Sequence, residues 1–193
     1  MPAEEKSAVR LAVRQACAAV PADVHAKASH TLCQVLATMP QFASAHTVAA
    51  FCGTGAEPDT RAFLQAVLQA GKSLCLPVCG PRPREMHMCA VQNLNALEQG
   101  AYGILQPPAG ANTVPPQLID FCLVPCVAAD ETGGRLGHGK GYYDAFLPLL
   151  RPACAQVLCC FSWQLVPCVP REAHDVRLPL LATEQGVRHL SCL

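Results

Sequence analysis

His46–Val78 reads HTVAAFCGTGAEPDTRAFLQAVLQAGKSLCLPV. Its first seven residues, His46–Cys52, form a short apolar strand-like run that ends in Gly53-Thr54-Gly55. Asp59 or Thr60 can then cap a helix carried by Phe63, Leu64, Val67 and Leu68, which Gly71 stops. Ser73–Val78 is a second buried strand. Strand, helix and strand within about thirty residues make a βαβ unit, and its crossover sets the two strands parallel. A sheet built from such units takes ligands beyond the carboxyl ends of its strands.

The same alternation continues outward. Upstream, Glu4–Val20 places Val9, Ala12, Val13, Ala16, Cys17 and Val20 at helical spacing. After Pro21, about Asp23–Thr38 does so with Val24, Ala28, Leu32, Val35 and Leu36, predicting an N-terminal helical hairpin. Downstream, Met86–Val91, Leu118–Ala128 and Ala155–Phe161 read as strands, and Tyr142–Leu150 as a helix. Short strands are expected around Leu180–Thr183 and Val187–Leu190. Leu94–Pro116, rich in glycine and proline, reads as a functional loop rather than a linker. The expected class is α/β: one domain over residues 1–193, with a doubly wound, mainly parallel sheet flanked by helices.

The totals narrow the function classes. With Lys+Arg 14 and Asp+Glu 14 the formal net charge is zero, so no global field draws nucleic acid or an anionic membrane. No apolar stretch reaches a membrane span, and the N-terminus lacks a signal-peptide block. The chain is therefore expected to be cytoplasmic, with no nucleic-acid or membrane partner; a monomer is the default expectation, since the sequence does not report oligomeric state. Its thirteen cysteines sit mostly in apolar runs, without a Cys-x-x-Cys pair. They read as small buried hydrophobes in a reducing compartment, not as a disulfide framework or zinc site.

The chemistry concentrates in Gly133–Asp144, GGRLGHGKGYYD. Glycines 133, 134, 137, 139 and 141 add nothing to a core and cost backbone entropy. A glycine-rich turn that carries a lysine into a helix N-terminus suits phosphate. Gly134–Lys140 fits G-x-x-x-x-G-K, but Gly141 stands where a P-loop has its magnesium-binding hydroxyl. The dinucleotide fingerprint fails as well, because Tyr142 replaces a helix-packing glycine. A structural hairpin is the alternative, opposed by the interleaved Arg135, His138 and Lys140.

RLGHGKGYYDAFL resembles the signature of the 5-formyltetrahydrofolate cyclo-ligase family. Colinear with it are Lys6 and Arg10 (K-x-x-x-R), Phe51–Glu57 with Thr60, GKSLCLP, YGILQPP and LIDFCLVPCVAAD. The resemblance implies ATP- and magnesium-dependent closure of 5-formyltetrahydrofolate to 5,10-methenyltetrahydrofolate. Phosphorylation of the formyl oxygen would make it a leaving group for intramolecular attack by a folate nitrogen. It further implies ATP contacts from Lys6, Arg10, Gly134, Arg135, Leu136, Gly137, His138, Gly139, Lys140, Gly141 and Tyr142, with Lys140 and Arg135 catalytic. Cys52, Glu57, Tyr102, Tyr142 and Tyr143 would hold the folate, and Asp144 and Asp175 the Mg2+.

Plainer readings stand beside these. Lys6 and Arg10 can be a solvated helix face, and Asp144 a first-turn residue that suits the helix dipole. Glu57 can be a surface acid, the tyrosines core packing, and His138 a solvent-facing side chain. Met86 and Met88 can pad the pocket or fill a strand face. Two other classes share the loop: a P-loop small-molecule kinase, which lacks its hydroxyl here, and a non-catalytic folate- or nucleotide-binding module. The second would have shed loop charges that this chain retains.

Overall fold

The structure, a computed structural model, describes residues 2–172 and 175–190; the side chains of Pro2 and Tyr102 lie outside the description. Helices α1 (Pro2–Ala18), α2 (Ala22–Ala37) and the short α3 (Pro40–Ser44) precede strand β1 (Thr47–Ala49). Then come α4 (Arg61–Gln69), β2 (Ser73–Cys79), β3 (Met86–Val91), a small hairpin of β4 (Glu98–Gln99) and β5 (Leu105–Gln106), and β6 (Thr113–Val114). The second half holds β7 (Phe121–Pro125), β8 (Ala128–Ala129), β9 (Arg135–Leu136), α5 (Tyr142–Phe146), β10 (Ala155–Cys159), β11 (Leu180–Thr183) and β12 (Gly186–His189).

Eight strands form one sheet in the order β12-β11-β10-β7-β1-β2-β3-β6. The five central strands, β11 to β2, are mutually parallel, and β12, β3 and β6 add antiparallel edges. The predicted βαβ unit is present: Thr47 pairs with Ser73 and Ala49 with Cys75 across the crossover helix α4. The chain leaves β1 for β2 on one side and returns as β7 on the other. The strand order therefore reverses at β1, and a crevice opens between the β1 and β7 carboxyl ends.

Side chains alternate across the sheet. Val48, Leu74, Leu76, Phe121, Leu123, Val157 and Leu180 face α2, α3 and α4, where they pack with Leu32, Leu36, Phe42, Phe63 and Val67. Ala49, Cys75, Cys122, Val124, Leu158 and Leu181 face the other way, toward Phe146, Leu147 and Leu150. Cys75, Cys122 and Cys160 are fully buried, and every described cysteine is a free thiol. Burial raises Cys75 to about 12 and drives Cys122 well above the ordinary thiol value. They are packing residues, as their apolar context predicts.

Three expectations change. The expected helical pair serves two cores: α2 lies on the sheet, whereas Val13 and Cys17 of α1 pack with Val127, Ala128, Leu136 and Val169. This third cluster docks α1 beside the root of the glycine stretch. The helix expected over 142–150 ends at Phe146 and becomes a 3-10 turn, Leu147–Leu149, because Pro148 can neither donate nor fit in a helix interior. The strand expected over 118–128 breaks into β7 and β8.

Candidate active site

A cavity of about 650 Å³, within the range of small-molecule sites, occupies the crevice. Its floor comes from the ends of β1 and β7 (Phe51, Cys52, Pro125), and one wall from β2 and β3 (Pro77, Cys79, Met86). The opposite wall is Arg135–Asp144, and α1 closes an edge with Lys6, Ser7 and Arg10. Residues from seven separate parts of the chain thus meet at the strand ends.

The glycine stretch is rooted by Asp130, only 1% exposed. Its Oδ1 accepts from Thr132 N (2.8 Å), Thr132 Oγ1 (2.7 Å) and Gly134 N (2.9 Å), and its Oδ2 from Val169 N (2.8 Å). Burial pushes the Asp130 carboxyl up, but these hydrogen bonds outweigh it and hold the group below its ordinary value. Gly134 therefore belongs to the anchor: its N–H is committed to Asp130, and it is absent from the cavity lining.

Beyond the anchor the backbone turns through left-handed conformations at Gly139 (φ +92°) and Gly141 (φ +69°). A Cβ on Gly139 would stand 3.3 Å from Arg10 Nη2, and one on Gly141 3.0 Å from Arg84 Nε. Glycine is required at both for conformation and for close approach of a cation. Arg10 Nε donates to Gly137 O at 2.9 Å, tying α1 to the loop. Burial, and then the nearby Arg14 charge, lower the Arg10 guanidinium from its ordinary value.

Each predicted acid meets a basic side chain. Arg135, whose side chain is 5% exposed, donates through Nη2 to Asp144 Oδ1 and lies 5.7 Å from the Tyr143 ring centroid. Lys6 Nζ contacts Asp175 Oδ2 at 2.8 Å and Glu172 Oε2 at 3.4 Å. Burial works to lower the Lys6 ammonium, but the two carboxylates raise it above its ordinary value. Glu57, 8% exposed, accepts from Thr54 N through Oε2 at 3.1 Å, while its Oε1 meets His138 Nε2 at 3.0 Å. The two loops after β1 and β9 thereby touch across the cavity.

Cys52, Glu57, Tyr142 and Tyr143 all line the cavity; the Tyr102 side chain lies outside the described residues, in the 3-10 turn Ala101–Gly103. Met86 lines it too, whereas Met88 is buried in the second core. Burial raises the Cys52 thiol to about 11 and the Tyr143 phenol well above 10, so both are neutral near pH 7. Sequence reading missed Thr54, Arg84, Gln106 and Glu172, which reach the cavity only through the tertiary fold. Two lining residues each carry a buried polar atom, Arg135 Nε and Tyr143 OH, with no hydrogen-bond partner among the described residues. Such orphans are rare in folded proteins.

Among the described residues no helix is long and apolar enough to cross a membrane, and no three His, Cys, Asp or Glu side chains cluster as a metal cage. Comparison with known proteins agrees with the signature in the glycine stretch. The model of the 5-formyltetrahydrofolate cyclo-ligase family matches residues 2–184. The 5-formyltetrahydrofolate cyclo-ligase of Escherichia coli (strain K12) is 33% identical over 153 residues, 78% of this chain and 84% of the relative. That of Mycolicibacterium smegmatis is 29% identical over 197 residues, covering 97% and 98%. The NMR structure of Aquifex aeolicus 5,10-methenyltetrahydrofolate synthetase is 32% identical with a TM-score of 0.83, covering 96% of this chain and 92% of that one. The chain therefore belongs to the 5-formyltetrahydrofolate cyclo-ligase family and is an enzyme of the ligase class.

Proposed function

We propose that the cavity binds ATP along the glycine stretch and 5-formyltetrahydrofolate along the β1–β3 wall, and closes the folate to 5,10-methenyltetrahydrofolate. The observation that carries this reading is a single cavity at the strand ends with the cations Lys6, Arg10 and Lys140 on one side and the apolar Phe51 and Met86 on the other.

The chemistry follows from the substrate. A formyl group on nitrogen is amide-like and a poor electrophile. Its oxygen attacks the γ-phosphorus of ATP, the bond to the β-γ bridging oxygen breaks, and ADP leaves. The nearby folate nitrogen then attacks the formyl carbon and gives up its proton, and loss of the phosphorylated oxygen as inorganic phosphate, which takes up that proton, leaves the cyclic amidinium product. No step needs a protein nucleophile, so the residues position the substrates and neutralise charge. Lys140, Arg10 and Lys6 would meet the phosphates, and Lys140 and Arg135 the charge that grows during transfer. Glu57 would accept hydrogen bonds from the pterin, while Phe51, Met86 and Tyr143 cover its faces.

Magnesium fits the donor chemistry. Asp144 and Asp175 are carboxylates lining the cavity, and a hard cation that keeps waters and phosphate oxygens needs only one or two such ligands. Bound there, it would neutralise phosphate charge. Asp144 would hold Arg135, and Asp175 would hold Lys6, in the same region. The test is to mix the purified protein with 5-formyltetrahydrofolate and MgATP, recording the near-ultraviolet methenyl band and ADP together. Equal yields of both support the reading; neither product, with fresh folate, overturns it.

A further inference from the structure

The β2–β3 connection holds a cation that the reading above does not use. Arg82–Glu85 is a tight turn in which Glu85 N donates to Arg82 O at 3.2 Å. Pro83 takes its second position and Arg84 its third, with φ +62°. That is the pattern of a type II turn, whose third position favours glycine or asparagine. Arg84 is the one non-glycine residue with positive φ among the described residues. Strain of this kind collects where a side chain is needed at a particular place.

The neighbouring charges are already paired. Glu85 accepts from Arg82 Nε at 3.0 Å and Nη2 at 3.1 Å, and its Oε1 lies 3.1 Å from His87 Nε2. Gly80 N donates to Glu85 O at 2.8 Å, which clamps the turn. Arg84 makes no hydrogen bond or ion pair among the described residues, although it sits one residue from that acid. Its side chain lies instead against Gly141, with Nε 3.0 Å and Cδ 3.3 Å from where a Cβ would be. It lines the cavity between Met86 of the apolar wall and Lys140 of the glycine stretch.

We propose that Arg84 is an anion-binding residue of this cavity, its guanidinium holding an oxyanion of a bound substrate across Gly141. The proposal rests on the two-substrate reading of the site. The oxyanion is a phosphate oxygen of the nucleotide or a carboxylate of the folate's glutamate tail, both of which suit the planar fork of arginine.

Because the turn prefers glycine or asparagine, Arg84→Gly and Arg84→Asn separate function from folding. Both variants should melt at or above the wild-type temperature. Equilibrium titration with MgADP, and separately with 5-formyltetrahydrofolate, should show one Kd raised about tenfold, with partial recovery in Arg84→Lys. A rise for MgADP alone assigns the phosphate. A rise for the folate, lost with a 5-formyltetrahydropterin that lacks the glutamate, assigns the carboxylate. Both Kd values within about twofold of wild type in the folded variants would overturn the proposal. Binding without turnover in the wild type would instead overturn the activity reading alone.

Discussion

Asp130→Asn tests how the glycine stretch is held. The wild-type carboxylate accepts four hydrogen bonds in a site that is 1% exposed. Asparagine has nearly the same shape, and its carbonyl oxygen can still serve Thr132 and Gly134. Its amide then faces Val169 N–H, donor against donor. One unsatisfied buried N–H costs about 1–3 kcal/mol, and loss of charge weakens the other bonds by about 1 kcal/mol together. The expected destabilisation is about 2–4 kcal/mol, or about 4–16 °C in Tm for a domain of this size.

Its pH dependence has a definite sign. The folded carboxyl is held below its ordinary value, so it contributes stability that is fully present above the unfolded value of 3.8. That contribution is lost as pH falls through the lower folded value, where the native carboxylate takes up a proton. Urea unfolding of wild type and variant followed by circular dichroism should show a constant gap from about pH 7 to 5 that narrows below about pH 4. A gap under about 0.5 kcal/mol at neutral pH, or one that does not narrow in acid, would refute the anchoring role.

Two further substitutions address the cavity walls. Arg135→Lys keeps the charge but cannot both pair with Asp144 and lie against Tyr143, so kcat should fall about 10²-fold; an unchanged kcat would remove Arg135 from the transfer step. His138→Ala should lower the folate KM, by up to about fivefold given the exposed imidazole, because Glu57 Oε1 is released; an unchanged or higher folate KM would show that the contact does not compete with folate.

Much of the fold follows from local pattern. Strands β3 and β11 fall where alternation and apolar runs place them, and the βαβ unit has its predicted parallel register. The failures have local physical causes. Pro148 cuts the helix after the glycine stretch, and β1 stops at Ala49 because Phe51 and Cys52 leave the ladder to floor the cavity. The partner of α1 could not be read, since a helical stripe at spacing three and four says that a face is buried but not against what. In the site, the glycines and the basic residues among them announce themselves by composition. Arg84 and Glu172 do not, because a charged residue in a proline-rich loop looks like any solvated surface until the fold brings it to the strand ends.

The central claim is that the glycine stretch is the wall on which phosphoryl transfer occurs, with Lys140 neutralising the developing charge. Lys140→Ala measures it most directly, through methenyl formation under saturating MgATP and 5-formyltetrahydrofolate beside a thermal unfolding curve. The account predicts a kcat reduced by about 10²–10³-fold with stability within about 0.5 kcal/mol of wild type. A stably folded variant that turns over at the wild-type rate would contradict it.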